Sequence, residues 1–319
     1  MFRSVIVNNE HIVCYAPPKS LTENHFNDWA TTEKGKYVAQ PYIEGTMINL
    51  FWSGSEWEIT TKSSLGGNVS FYIMEEGDKK EKTFRWMFLD TLNFYEEKCN
   101  EEGSNFFECV DKIPKNLCLS FVVQHPTNRI VVPHKEPSLY LTKCYEIDNN
   151  IIKEKDINIL RNKLPKWVNF PLVYDMEIEE AIQNIDLKVN DYKNMGYIIL
   201  GIDQESHAPI RTKLRNYNYE LVRKLRGNQP KLQYRYLMLN KEGKIKAYLK
   251  YYPEHGDKFL KYRDLLYNYT NNLLKLYRSC YVKKDKKLKE YPEEYRTNMF
   301  KLHELYLSEL IQNKQFVDR

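Results

Sequence analysis

Phe121-Val122-Val123-Gln124-His125-Pro126-Thr127-Asn128-Arg129-Ile130-Val131, residues 121–131, is the stretch from which the rest of the chain is read. It closes an apolar run that begins at Leu117. Leu117 to Val123 is apolar and rich in residues that suit a pleated surface, so it reads as a strand. His125-Pro126-Thr127-Asn128 breaks the run, because proline cannot donate to a ladder and Thr and Asn side chains bond nearby backbone. Ile130 to Val132 reads as the return strand.

Working outward, the same grammar repeats. Upstream, Met47 to Trp52 is a strand, Ser53-Gly54-Ser55 a turn, and Trp57 to Thr60 the way back; Gly66-Gly67 ends it. Val5-Ile6-Val7 and His11 to Tyr15 flank Asn8-Asn9 as a first hairpin, stopped by Pro17-Pro18. Downstream, Ser138 to Tyr145, Gly196 to Ile202 and Ile210 to Lys213 are further strands. Residues 69–100 place Phe84, Met87, Phe88, Leu92 and Tyr95 at helical spacing. Residues 154–187 mix helix and loop. After Arg226-Gly227-Asn228-Gln229-Pro230 helical periodicity takes over, with Phe259, Tyr262, Leu265, Leu266 and Tyr269 as one stripe. These patterns predict an α+β fold with antiparallel sheets in residues 1–228 and a helical domain in residues 229–319.

The 319 residues are 42% hydrophobic, which supports a real core, and the net charge of +5 is only mildly basic. None of the six cysteines stands in a C-x-x-C pair, so free thiols in a reducing compartment are expected. The seven histidines show no H-x-x-x-H pair, so no histidine metal site is expected. The chain opens directly into a strand and has no apolar stretch of about 18 residues. An intracellular, soluble protein with no membrane partner is the expectation, in the cytoplasm or, given the Lys, Asn, Ile and Tyr bias, in a viral factory or virion.

Four segments, in order, resemble the phage RNA ligase 1-like branch of the covalent nucleotidyltransferases. The first is Arg3-Ser4-Val5-Ile6 with Pro17-Pro18-Lys19-Ser20. The second is Tyr42-Ile43-Glu44-Gly45-Thr46 with the strand running to Lys62, similar to that family's Lys-x-Asp-Gly-Ser element. The third is residues 121–131, similar to a Phe-Glu strand followed by Pro-x-Asn-Arg-Ile-Val. The fourth is Met195-Gly196-Tyr197-Ile198-Ile199 with Arg211-Thr212-Lys213, similar to Glu-Gly-Tyr-Val and Lys-x-Lys. The resemblance spans roughly residues 2–226. It implies a nucleotidyltransferase ligase fold, ATP and Mg²⁺ as cofactors, RNA as partner, and a lysine that attacks the α-phosphate to form lysyl-AMP.

This chain departs from that pattern selectively. Tyr42 stands at the lysine, and a phenol is the poorer nucleophile without a strong base or metal. Val122 and Met195 stand at the two glutamates that would hold the divalent ion and the ribose, so metal-assisted chemistry loses its ligands. Gln124, two residues on, is a weak ligand for a hard cation. Glu44 replaces an aspartate. The basic positions survive: Arg3, Lys19, Lys62, Arg211 and Lys213, with Glu44 and Gly45 between them, form the expected nucleotide- and phosphate-binding set. In the helical part Lys283, Lys284, Lys286 and Lys287 are the candidate RNA contacts, beside Tyr281 and Tyr291. His125 is the one candidate base in the loop.

Three readings follow. The chain is a degenerate nucleotidyltransferase that binds RNA ends or nucleotide in a basic cleft without forming lysyl-AMP; or an active ligase with a non-lysine acceptor, Tyr42; or a structural protein that reuses the fold to bind a protein partner.

Overall fold

The computed structural model describes residues 4–22, 38–71, 82–99, 105–174, 191–202 and 209–318. They form two compact units, Met1–Lys231 and Leu232–Arg319.

The first unit is a mixed α+β body whose sheets are all antiparallel. Strands β1 (Val5–Asn8) and β2 (His11–Tyr15) form a hairpin, turned at Asn9 and Glu10, both at positive φ. Strands β4 (Thr46–Trp52), β5 (Trp57–Thr60), β6 (Leu117–Gln124), β7 (Ser138–Asp148) and β8 (Ile151–Lys155) make a five-stranded sheet in the order β5-β4-β6-β7-β8. Strands β3 (Val38–Pro41), β9 (Gly196–Ile202) and β10 (Pro209–Arg215) make a three-stranded sheet in the order β10-β9-β3.

Side-chain alternation sorts the large sheet into two faces. Ile48 and Leu50 of β4, Leu117, Leu119, Phe121 and Val123 of β6, and Leu139 and Leu141 of β7 face one core. That core is closed by helix α1 (Phe84–Lys98), through Phe88 and Leu92, and by α2 (Phe106–Val110), through Phe106 and Val110. α1 starts at Phe84, where the Thr83 side chain accepts from Trp86 N. It is therefore shorter than the stretch 69–100 read from spacing, of which residues 72–81 and 100 lie outside the described residues.

The opposite face is divided. At one end Phe51, Cys118 and Tyr145 pack against Cys14 and Tyr15 of the hairpin. At the other end Met47, Val122 and Lys143 are left for a cavity. A β-bulge between Ser120 and Phe121 shifts the β6–β7 register, pairing Ser120 with Lys143 and Phe121 with Leu141.

Two expectations are corrected. Ile130 to Val132 is not a strand: the backbone N–H groups of Val131 and Val132 bond the Glu44 carboxylate instead of a ladder. The start of 154–187 is not helix and loop alone, since residues 151–155 form β8; residues 175–190 lie outside the described residues. Helix α3 (Tyr217–Arg226) closes the first unit. The second unit is helical: α4 (Leu232–Lys241), α5 (Ile245–Tyr251), α6 (Gly256–Tyr277) and α7 (Glu293–Leu305), with a π-turn over Arg278–Val282. Its core gathers Tyr277, Tyr291, Tyr295 and Met299.

Candidate functional site

Within the first unit the faces of the two larger sheets enclose a cavity of about 210 Å³. One wall is a cross-strand row of the three-stranded sheet. Gln40 pairs with Ile198 and Ile198 with Lys213, so the three side chains share a face, and Arg211 lies two residues before Lys213. The other wall is the Met47–Val122 pair, with Thr142 and Lys143 from β7. Ala16 and Pro17, just past β2, and Lys62, just past β5, complete the rim.

Tyr42 lies where β3 ends, its N–H donating to Gly196 O at 2.9 Å. Its ring lines the cavity, with Lys213 Nζ 4.7 Å from the ring centroid. A phenol face under an ammonium is a stabilising cation–π pair. Gly45 lets the chain cross β6 closely. Its φ is +150°, and a Cβ there would lie 2.4 Å from Val123 O and 2.7 Å from Val122 Cγ1. Gly196, whose carbonyl accepts from Tyr42 N, allows a similar close approach to β10: its φ is +119°, and a Cβ there would lie 2.0 Å from Leu214 O.

The structure thus brings together Tyr42, Gly45, Lys62, Val122, Arg211 and Lys213, which are far apart in sequence. It does not bring in the others. Glu44 is buried and points away from the cavity: its oxygens accept from Val131 N and Val132 N at 3.1–3.3 Å, and His134 Nε2 stands 3.6 Å off. The Tyr219 phenol lies beside the same carboxylate and is pushed up by burial and then by the Glu44 charge. Lys19 is exposed and outside the lining, Met195 precedes β9 and lies outside it too, and Arg3 lies outside the described residues. His125 is also elsewhere. Its Nδ1 accepts from Thr127 N at 3.2 Å and its Nε2 bonds Asp90 Oδ2 at 3.0 Å, so it caps the turn Pro126–Asn128. Burial pushes its imidazole down, opposed by the Asp90 hydrogen bond and charge.

Two lining residues carried no signal in the sequence. Lys143 is buried at 8% exposure, ion-paired to Glu154 of β8. Gln40 is buried at 5% exposure, with no side-chain hydrogen bond among the described residues. A lysine or glutamine inside a strand belongs to no local motif. Only the pairing of the strands places them.

Among the described residues the lining holds four cationic side chains, Lys62, Lys143, Arg211 and Lys213, and no carboxylate. Arg211 also donates through Nη2 to Pro18 O, which fixes one end of its guanidinium. This donor set fits phosphate oxygens. It does not fit a divalent ion, which takes oxygen anions. Among the described residues no group of three or more His, Cys, Asp or Glu is placed to hold a metal.

No family model and no curated protein matches the chain. Solved structures do resemble it. An apo RNA ligase mutant from Naegleria gruberi matches at TM-score 0.45 and 10% identity, over 69% of this chain and 60% of that one. A structure described as an ATP-dependent DNA ligase from Aquifex aeolicus matches at TM-score 0.42 and 12% identity, over 96% and 71%. An archaeal ATP-dependent RNA ligase matches at TM-score 0.43 and 12% identity, over 69% and 53%. The chain therefore spans about three fifths of the Naegleria enzyme's length. At this level of similarity the neighbours fix neither activity nor substrate, and the chemistry has to be read from the cavity.

Proposed function

We propose that the chain is an RNA-ligase-like protein that binds a nucleotide or the phosphorylated end of an RNA in this basic cavity, without forming lysyl-AMP. The observation that carries the reading is the composition of the lining: among the described residues four cationic side chains, one of them (Lys143) paired to Glu154, line one cavity with an aromatic face and no carboxylate. Phosphate oxygens take the place of the missing acids. The guanidinium of Arg211 supplies a planar fork, and Lys213, held over the Tyr42 ring, supplies a point charge. The base or ribose would lie against Tyr42, Met47 and Ile198.

The chemistry of covalent transfer lacks parts here. Tyr42 has an ammonium beside it and, among the described lining residues, no carboxylate or imidazole to take its proton. With no acid among the described lining residues, the cavity offers no ligand set there for Mg²⁺, and no step is assigned to one.

Equilibrium binding of ATP tests the reading, with and without a chelator. The expected result is binding that EDTA leaves unchanged and that Arg211→Ala weakens about 10- to 100-fold, the worth of one charged hydrogen-bonding group. Binding that requires Mg²⁺, or that ignores Arg211→Ala, would contradict it.

A further inference from the structure

The charge of this protein is segregated. Residues 1–231 carry 29 Lys and Arg against 32 Asp and Glu; residues 232–319 carry 19 against 11. The sheet unit is therefore at −3 and the helical unit at +8. A balance of +8 on 88 residues is the electrostatic footprint of a polyanion-binding module.

The excess is concentrated at one ordered turn after the π-turn. The acids there are turned onto the protein. Asp285 accepts from Ser279 Oγ at 2.7 Å, the same hydroxyl lies 2.8 Å from Tyr291 OH, and Glu290 accepts from Lys287 N at 2.8 Å. Lys284 sits at φ +59°, which sharpens the turn. Lys283, Lys284, Lys286, Lys287 and Lys289 are all exposed, and none makes an ion pair among the described residues.

A second feature of the same unit says which polyanion. A groove beside α4 and α6 is lined by Tyr236, Tyr262 and Tyr269, by Gln233, Asn268 and Asn272, and by three leucines, with no charged side chain among the described residues of the lining. Tyr295, four residues past Tyr291, stacks on Tyr269 with centroids 4.9 Å apart and closes the groove. Phenol faces and amide edges suit an unpaired nucleobase. A lipid headgroup has no use for them.

We propose that the helical unit is a single-stranded nucleic-acid surface, with phosphates on the lysine turn and an unpaired base in the tyrosine–amide groove. This does not rest on the cavity of the sheet unit. Fluorescence anisotropy of the full chain with a labelled 5′-hydroxyl oligouridine tests it, since such a strand offers the cavity no terminal phosphate. The expected slope of log affinity on log salt is about −3.5 for five neutralised phosphates. The variant K283E/K286E/K287E loses about 2 of that slope. Tyr262→Ala weakens binding about 5- to 100-fold, while Tyr262→Phe keeps it. An unchanged slope in the triple variant overturns the proposal. So does wild-type affinity in Tyr262→Ala, or binding to phosphatidylserine vesicles in place of the oligonucleotide. Retained ATP binding in the triple variant shows that the sheet unit is intact. Oligonucleotide binding by a protein that binds no ATP would fail the cavity reading and leave this one standing.

Discussion

At the scale of single residues the decisive pair is Tyr42 and Glu44, two positions apart and pointing to different places. Tyr42 faces the cavity; Glu44 faces the backbone of Val131 and Val132. Read as sequence, both belong to one ligand-binding motif, because a motif does not say on which side of the chain each side chain falls. In the fold Glu44 is a clasp that gives two otherwise unpaired N–H groups a charged acceptor. Glu44→Gln is expected to cost about 1–3 kcal/mol of stability, measured by urea denaturation. His125 gives a pH test at the same scale. Its folded-state affinity for protons is lowered, chiefly by burial, so the unfolded chain binds the proton more readily. Stability from this group is present above the ordinary value of 6.5 and is lost as pH falls below it. Melting temperatures of the wild type should drop more steeply than those of His125→Asn between about pH 7 and pH 5.

At the scale of elements, the strands that alternate were legible and the loop that does not was not. Leu117 to Val123 announces β6 because the run is apolar at every position but Ser120, and in the fold Leu117, Leu119, Phe121 and Val123 land on one core. Ile130 to Val132 has the same β-branched character, yet its partner is a carboxylate 87 residues away in sequence. Nothing local signals that. The cavity was legible only in part for the same reason. Arg211 and Lys213 sit two apart on β10, a spacing that puts both on one face, whereas Gln40 and Lys143 are placed by cross-strand pairing alone. Two substitutions probe this level. Phe121→Ala, buried at 0% exposure, should cost about 3–5 kcal/mol. Gly45→Ala should destabilise the fold and close the cavity, because its Cβ would meet the Val123 carbonyl, and a carbonyl in a ladder cannot give way.

At the scale of the whole molecule, charge is divided between two units. The sheet unit carries a small cationic cavity on a body of slightly negative charge, and the helical unit carries the positive field. The overall +5 hides this division. No helix among the described residues is long and apolar enough to cross a membrane. The six cysteines are unpaired thiols, with Cys14 Sγ and Cys118 Sγ 3.5 Å apart inside the first unit. On the two proposals made above, such a protein would hold a strand through its phosphates and an end or nucleotide through the cavity, where the described lining residues include no acid.

The most direct test of that central claim is incubation with α-³²P-labelled ATP, with Mg²⁺ or Mn²⁺ present, followed by a denaturing gel. The predicted result is no labelled protein under conditions where ATP is bound and Arg211→Ala weakens the binding. A labelled band would contradict it. One that vanished in Tyr42→Phe would make Tyr42 the acceptor and the protein an active nucleotidyltransferase.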